Sequence, residues 1–200
     1  MISLSSVSHT DPPQPTPRER ILETASRLFT ASGYRAVGID TIIRESGVAK
    51  MTFYKHFPAK DDLIAAYLDR AAAGFWNWWN RVTAGHETPR AQLEAAFEGV
   101  AKLASSPQCL GCAFMHAAAE FPDADHPGHA AALRYKTEVL ARLQALTAAA
   151  GAAQPDGLAQ DLMLVMDGAW AAARMFGPGN HAARSAATAR VLIAAQVQGA

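Results

Sequence analysis

Cysteine is scarce here: Cys109 and Cys112 are the only two in 200 residues. So few thiols exclude a disulfide framework. Charge is scarce too, at 18% of residues with no net balance. That is low for a fully solvated surface, so some apolar face is expected to meet a partner subunit. Long apolar runs are missing, since no stretch reaches the roughly eighteen residues of a membrane-spanning helix. Residues 1–17 have neither the basic start nor the apolar middle of a secretion signal. A cytoplasmic protein with no membrane partner is therefore expected. Strand-like alternation is missing, and the abundant alanine favours helix. The chain also lacks a Gly-x-Ser-x-Gly elbow, a phosphate-cradling glycine loop and a His-Glu-x-x-His helix. Its seven histidines are scattered. No enzyme is expected, and no catalytic residue, cofactor or metal is assigned.

What is present is uneven. Half the residues are hydrophobic, enough for a packed core. Residues 18–60 hold eight Lys/Arg against four Asp/Glu, and the rest of the chain carries the compensating acidic excess. A basic segment on an acidic body suits a protein with one end facing a polyanion. Before it, Met1–Thr16 is rich in Ser, Thr and Pro without apolar period, and a disordered tail is expected over residues 1–16.

Thr16-Pro17-Arg18-Glu19 opens a helix with a capping box and a proline at the first helical position. Ile21, Leu22, Ala25, Leu28 and Phe29 then share one face, and Gly33 is expected to end the helix as a left-handed cap. A short second helix runs from Ile39 to Ser46, and Gly47-Val48-Ala49 makes a tight turn. A third runs from Lys50 to Phe57, before Pro58. Two short helices joined by a glycine-led turn and packed on a longer one outline a helix-turn-helix domain over residues 17–59. With Phe53 pointing inward, Met51 and Lys55 fall about 160° and 200° away, and Tyr54 and Thr52 flank them. Apolar, hydroxyl and cationic groups displayed this way suit thymine methyls, base edges and phosphates. His56 lies closer to the core, so packing and a phosphate contact both remain open for it.

Gly33-Tyr34, Ile39, Ile42, Gly47-Val48, Phe53-Tyr54, His56-Phe57, Lys60 and Leu63 stand in the order and spacing of the DNA-binding signature of the tetracycline-repressor (TetR) family. Residues 18–65 thus resemble that family. The resemblance implies that Tyr54 bonds a phosphate and that Lys50, Met51 and Thr52 face bases. It further implies that Lys55 and Lys60 hold the DNA backbone and that Thr41 touches a phosphate. Two positions depart from it: Gly38 and Ala49 stand where Ser or Thr commonly cap the second and third helices. Glycine caps acceptably and alanine does not, so a phosphate contact from either hydroxyl is lost or moved. The segment from Gly111-Cys112-Ala113-Phe114 to Ala119-Glu120-Phe121 also resembles a helix in the ligand domain of one subgroup.

From residue 60 to 200 the pattern predicts six helices, at about 60–81, 89–105, 109–120, 127–150, 157–176 and 181–198. The fold expected is all-α: a three-helix DNA-binding domain followed by a six-helix ligand-binding and dimerisation domain. Leu158, Leu162, Val165 and Ala169, then Ala182, Ala186, Ala189 and Ile193, form stripes rich in small residues that permit close helix approach. By resemblance, these last two helices form a homodimer suited to a two-fold operator in double-stranded DNA. In Phe75-Trp76-Asn77-Trp78-Trp79 the tryptophans spread over about 160°, wider than one core face. Phe75, Trp76, Trp79, Phe97, Cys112, Phe114, Met115, His116, Met163, Met166 and Trp170 are candidate lining for a small apolar or aromatic effector. Asp167 is a candidate partner for a cationic ligand, or else pairs with Arg174 or solvent.

Cys109 and Cys112, with His116 four residues on, leave three readings open: a metal site, a thiol switch that senses electrophiles, or a buried structural pair. The function expected is a ligand-responsive regulator, a repressor released from a palindromic operator by its effector. The alternatives are a thiol- or metal-sensing repressor, and a helical interaction module that binds no DNA.

Overall fold

In a computed structural model that describes residues 14–197, the chain folds as nine α-helices and one short 3-10 turn, with no strand among the described residues. The tail expectation therefore lies outside the described residues for 1–13.

Helix α1 (Pro17–Ser32) starts as its sequence requires. The Thr16 hydroxyl accepts from the Glu19 N–H at 3.3 Å, and the Glu19 carboxylate accepts from the Thr16 N–H at 2.7 Å. The Thr16 hydroxyl, which donates to the same carboxylate at 2.7 Å, and then the Thr16 N–H hold the exposed Glu19 carboxyl below its ordinary pKa. Ile21, Leu22, Ala25 and Phe29 are buried. Gly33 ends the helix at φ +83°, ψ 171°. This is a glycine-only conformation, but not the left-handed helical cap expected from sequence. Helix α2 (Ile39–Ser46) buries Ile42 and closes on Gly47, which is left-handed at φ +65°, ψ 28°. Helix α3 (Lys50–His56) buries Phe53, and Phe57 turns away as an extended cap. Neither Gly38 nor Ala49 makes a side-chain capping bond.

Helix α4 (Lys60–Thr83) joins this three-helix unit to the rest. Tyr67 packs edge-on to Phe29 at 5.7 Å and its hydroxyl meets that of Thr30 at 3.1 Å; Arg70 pairs with Glu23 at 2.6 Å. Helices α5 (Pro89–Ala104), α6 (Ala113–Glu120), α7 (Pro127–Ala149), α8 (Pro155–Phe176) and α9 (Arg184–Gln196) complete the body, with a 3-10 turn over His181–Ala183 before α9. Four helices, α1, α5, α7 and α8, begin with proline in the first turn, where no N–H is needed. The body's core is Leu93, Phe97, Val100, Val139, Leu143, Leu158, Leu162 and Ile193, all essentially inaccessible.

Two further expectations change. α6 begins at Ala113 rather than near residue 109, because Gly111 sits at φ +91° and breaks any helix through the cysteines. The stripes proposed for dimerisation are mostly internal: Leu158, Leu162, Ala169, Ala182, Ala189 and Ile193 are buried within one chain, where α8 and α9 pack on each other and α9 on α5. The outward stripe is different, with Leu164, Met175 and Phe176 on α8 and Val191 on α9, each at least 60% exposed.

Candidate nucleic-acid interface and sensing cluster

The third helix divides its side chains sharply. Phe53 and Phe57 are buried, with rings 6.2 Å apart, and Arg18 caps the Phe57 face at 5.3 Å. On the opposite face Met51 is 82% exposed. Met51, Thr52, Tyr54 and Lys55 line one shallow groove. Tyr54 is braced edge-on against Phe53 at 5.4 Å, which fixes the direction of its hydroxyl. Lys50 and Lys55 are exposed and form no ion pair among the described residues; Thr41 and His56 are half-buried.

Other cations of the basic segment are already engaged. Glu45 takes Arg27 at 2.5 Å and Arg44 at 3.7 Å. Arg35 stacks over Phe121 at 5.6 Å. Lys60, expected on the DNA backbone, points its Nζ at the Arg35 carbonyl, 3.4 Å away, and burial holds its pKa down. Of the eight cations in residues 18–60, Arg20, Lys50 and Lys55 are exposed and form no such contact among the described residues, and Lys55 lines the groove.

In the body, four of the expected effector residues converge. Phe114 stacks on Tyr135 at 3.7 Å, while Phe75 and Trp76 approach the same ring at 5.3 and 5.9 Å; Trp79 closes on Phe75 at 5.9 Å. The Trp76 face carries the Arg142 guanidinium at 4.0 Å, and its indole N–H is buried without an acceptor. Trp78 stays beside Phe75, at 5.3 Å, and also lies against Gly99, where an added methyl would sit 2.6 Å from its ring. Phe97, Met166 and Trp170 are core residues; Met115 and Met163 are half-buried against that core. Tyr135 at the centre was missed from sequence. Its only local signal was a tyrosine beside Lys136 on an otherwise alanine-rich helix.

Asp167 pairs with Lys136, not Arg174. Arg174 instead crowds Gly111, where a methyl would meet the Arg174 Cβ at 2.9 Å and the His116 Nε2 at 3.3 Å. Burial, and then Arg174, hold the His116 pKa below its usual range. Cys112 is buried, and burial pushes its thiol up although Lys136 pulls the other way. Both cysteines are free thiols, and no group of three metal-ligating side chains forms among the described residues. A protonated, enclosed thiol favours the structural reading of Cys112 over the switch.

A small trihelical unit with a glycine turn and a solvent-facing third helix, set on an all-helical body, defines the class of helix-turn-helix regulators. The comparisons agree. Residues 21–67 match the family described as bacterial regulatory proteins, tetR family. A TetR-family transcriptional regulator of Streptomyces coelicolor, known from its crystal structure, is 34% identical over 90% of this chain and 93% of its own, with a TM-score of 0.81. Two HTH-type transcriptional regulators of Bacillus subtilis match over the N-terminal unit only. YxaF is 51% identical over 47 residues, 23% of this chain and 25% of its own length; LmrA is 46% identical over 48 residues, 24% and 26%. The match therefore spans about a quarter of those two curated relatives. This chain belongs to the TetR family, whose members are transcriptional regulators and not enzymes. Among the described residues no helix is long and apolar enough to cross a membrane.

Proposed function

We propose that this chain is a cytoplasmic repressor that grips duplex DNA as a homodimer and lets go when a small apolar or aromatic effector binds the body. The observation that carries this is the groove of Met51, Thr52, Tyr54 and Lys55 on a helix whose other face is locked by Phe53 and Phe57. Lys50, Met51 and Thr52 suit base edges and thymine methyls, while Tyr54 and Lys55 suit phosphates. Thr41 and His56, both half-buried, would reach backbone oxygens. Lys60 serves the turn before α2 more directly than it serves DNA.

Dimerisation is supported by Leu164, Met175, Phe176 and Val191, an apolar surface that a single chain leaves uncovered. Two such chains about a two-fold axis place their α3 helices on half-sites about 34–36 Å apart. The effector reading rests on the rings gathered at Tyr135 and on the unbonded indole N–H of Trp76, which a ligand with an acceptor atom would satisfy. Because Phe75, Trp76 and Trp79 ride on α4, a ligand that shifts them shifts the helix leading to the DNA-binding unit.

The test is selection from fragmented genomic DNA. The purified protein is expected to retain fragments sharing an inverted repeat with half-sites one helical turn apart. Retention of none, at low ionic strength, would leave only a helical interaction module.

A further inference from the structure

Helix α6 is fastened to the turn between α1 and α2 at both of its ends. At the C-terminal end, the Glu120 carboxylate accepts two backbone N–H groups at once, from Tyr34 at 3.0 Å and from Arg35 at 2.7 Å. At the N-terminal end, the Ala113 carbonyl accepts the Tyr34 hydroxyl at 2.8 Å. Tyr34 is therefore bonded to the first and last residues of the helix, and its ring is buried between Phe29 and Phe121, with centroids 5.2 and 5.7 Å away.

Gly33 is shaped for this contact. Besides its positive φ, a methyl there would lie 2.6 Å from the Glu120 carboxylate oxygen, so only glycine lets the carboxylate close on the turn. The surroundings repeat the attachment: Phe121 stacks on His126 at 3.9 Å, and His126 Nε2 lies 3.6 Å from Asp61 at the start of α4. At the second residue of α6, on its first turn, Phe114 stacks on Tyr135. One short helix thus touches the ring cluster at one end and the DNA-binding unit at both.

We propose that Glu120 is a positioning residue that fixes the angle of the DNA-binding unit on the body. The proposal rests on the repressor reading above. Attachment through α4 alone leaves a single pivot. A carboxylate forked over two successive amides removes rotation about it, and ionised acceptors make the stronger hydrogen bonds. Fixed geometry raises the effective concentration of the second α3 at its half-site once the first has bound. Releasing the clamp should therefore weaken two-site binding while leaving each reading helix intact.

The experiment uses the full chain, the duplex retained from genomic DNA, and the same duplex cut to one half-site. Glu120→Gln and Tyr34→Phe attack the clamp from opposite sides and keep its bulk. The expected result is cooperative unfolding, faster amide exchange at Tyr34 and Arg35 in Glu120→Gln, and about tenfold weaker binding to the full duplex. Half-site affinity should not change in either variant. Three outcomes would overturn the proposal: full-duplex affinity unchanged despite freed amides, amides still protected in Glu120→Gln, or half-site affinity falling in parallel. If the unaltered protein retains no duplex at all, the repressor reading fails first and the clamp's role in DNA binding fails with it.

Discussion

His116 sits on α6 where burial and the nearby Arg174 both disfavour a positive imidazole, and its pKa lies below the ordinary value of 6.5. The sign of the linkage follows directly. The unfolded chain takes up a proton near 6.5 while the folded chain still resists, so stability from this site is complete above that value and is lost as pH falls through it toward the lowered folded pKa. Thermal unfolding between about pH 7 and pH 5 should show the midpoint dropping with acid, and His116→Asn should flatten that slope. An identical slope in the variant would mean that His116 is not the group responsible. Residue by residue, the sequence was most informative where one face had to be chosen: the angles that put Phe53 inward and Met51 outward hold in the structure. It was least informative where two elements distant in sequence meet. Nothing local to Asp167 says that Lys136 will face it, and nothing local to Tyr135 says that Phe75, Trp76 and Phe114 will close around it.

Helix starts were legible because they are written in few residues. The Thr16 capping box and the prolines at 89 and 127 each name a first turn. The start of α6 was misplaced because the cysteine segment is apolar enough to continue a helical pattern, and only the positive φ of Gly111 stops it. The α8 and α9 faces were inverted for a related reason. Both sides of α8 are apolar, with Leu158, Leu162 and Ala169 turned inward and Leu164 and Met175 turned out, so periodicity alone cannot say which side a second chain would cover. If the outward side is the dimer face, Leu164→Glu combined with Val191→Glu should give a folded chain of single mass by light scattering. Exposed substitutions of this kind should shift monomer stability by no more than about 0.5 kcal/mol. A dimer that survives both charges would place the interface elsewhere.

At the scale of the whole molecule, the zero net charge hides a division of labour. Much of the basic excess near the N-terminus is spent internally: Arg27 and Arg44 on Glu45, Arg70 of α4 on Glu23, and Arg35 on Phe121. What remains outward around α3 is small and directional, which suits a reader of sequence more than a general polyanion binder. The same frugality explains why composition alone pointed only weakly to DNA. The most direct test compares binding of the unaltered chain, Met51→Ala, Tyr54→Ala and Lys55→Ala to the selected duplex and to a scrambled duplex at fixed salt. Tyr54→Ala and Lys55→Ala should weaken both duplexes alike, whereas Met51→Ala should cost about 1–3 kcal/mol on the selected duplex and almost nothing on the scrambled one. Four proteins that bind both duplexes with the same affinities would mean that the outward face of α3 does not touch DNA.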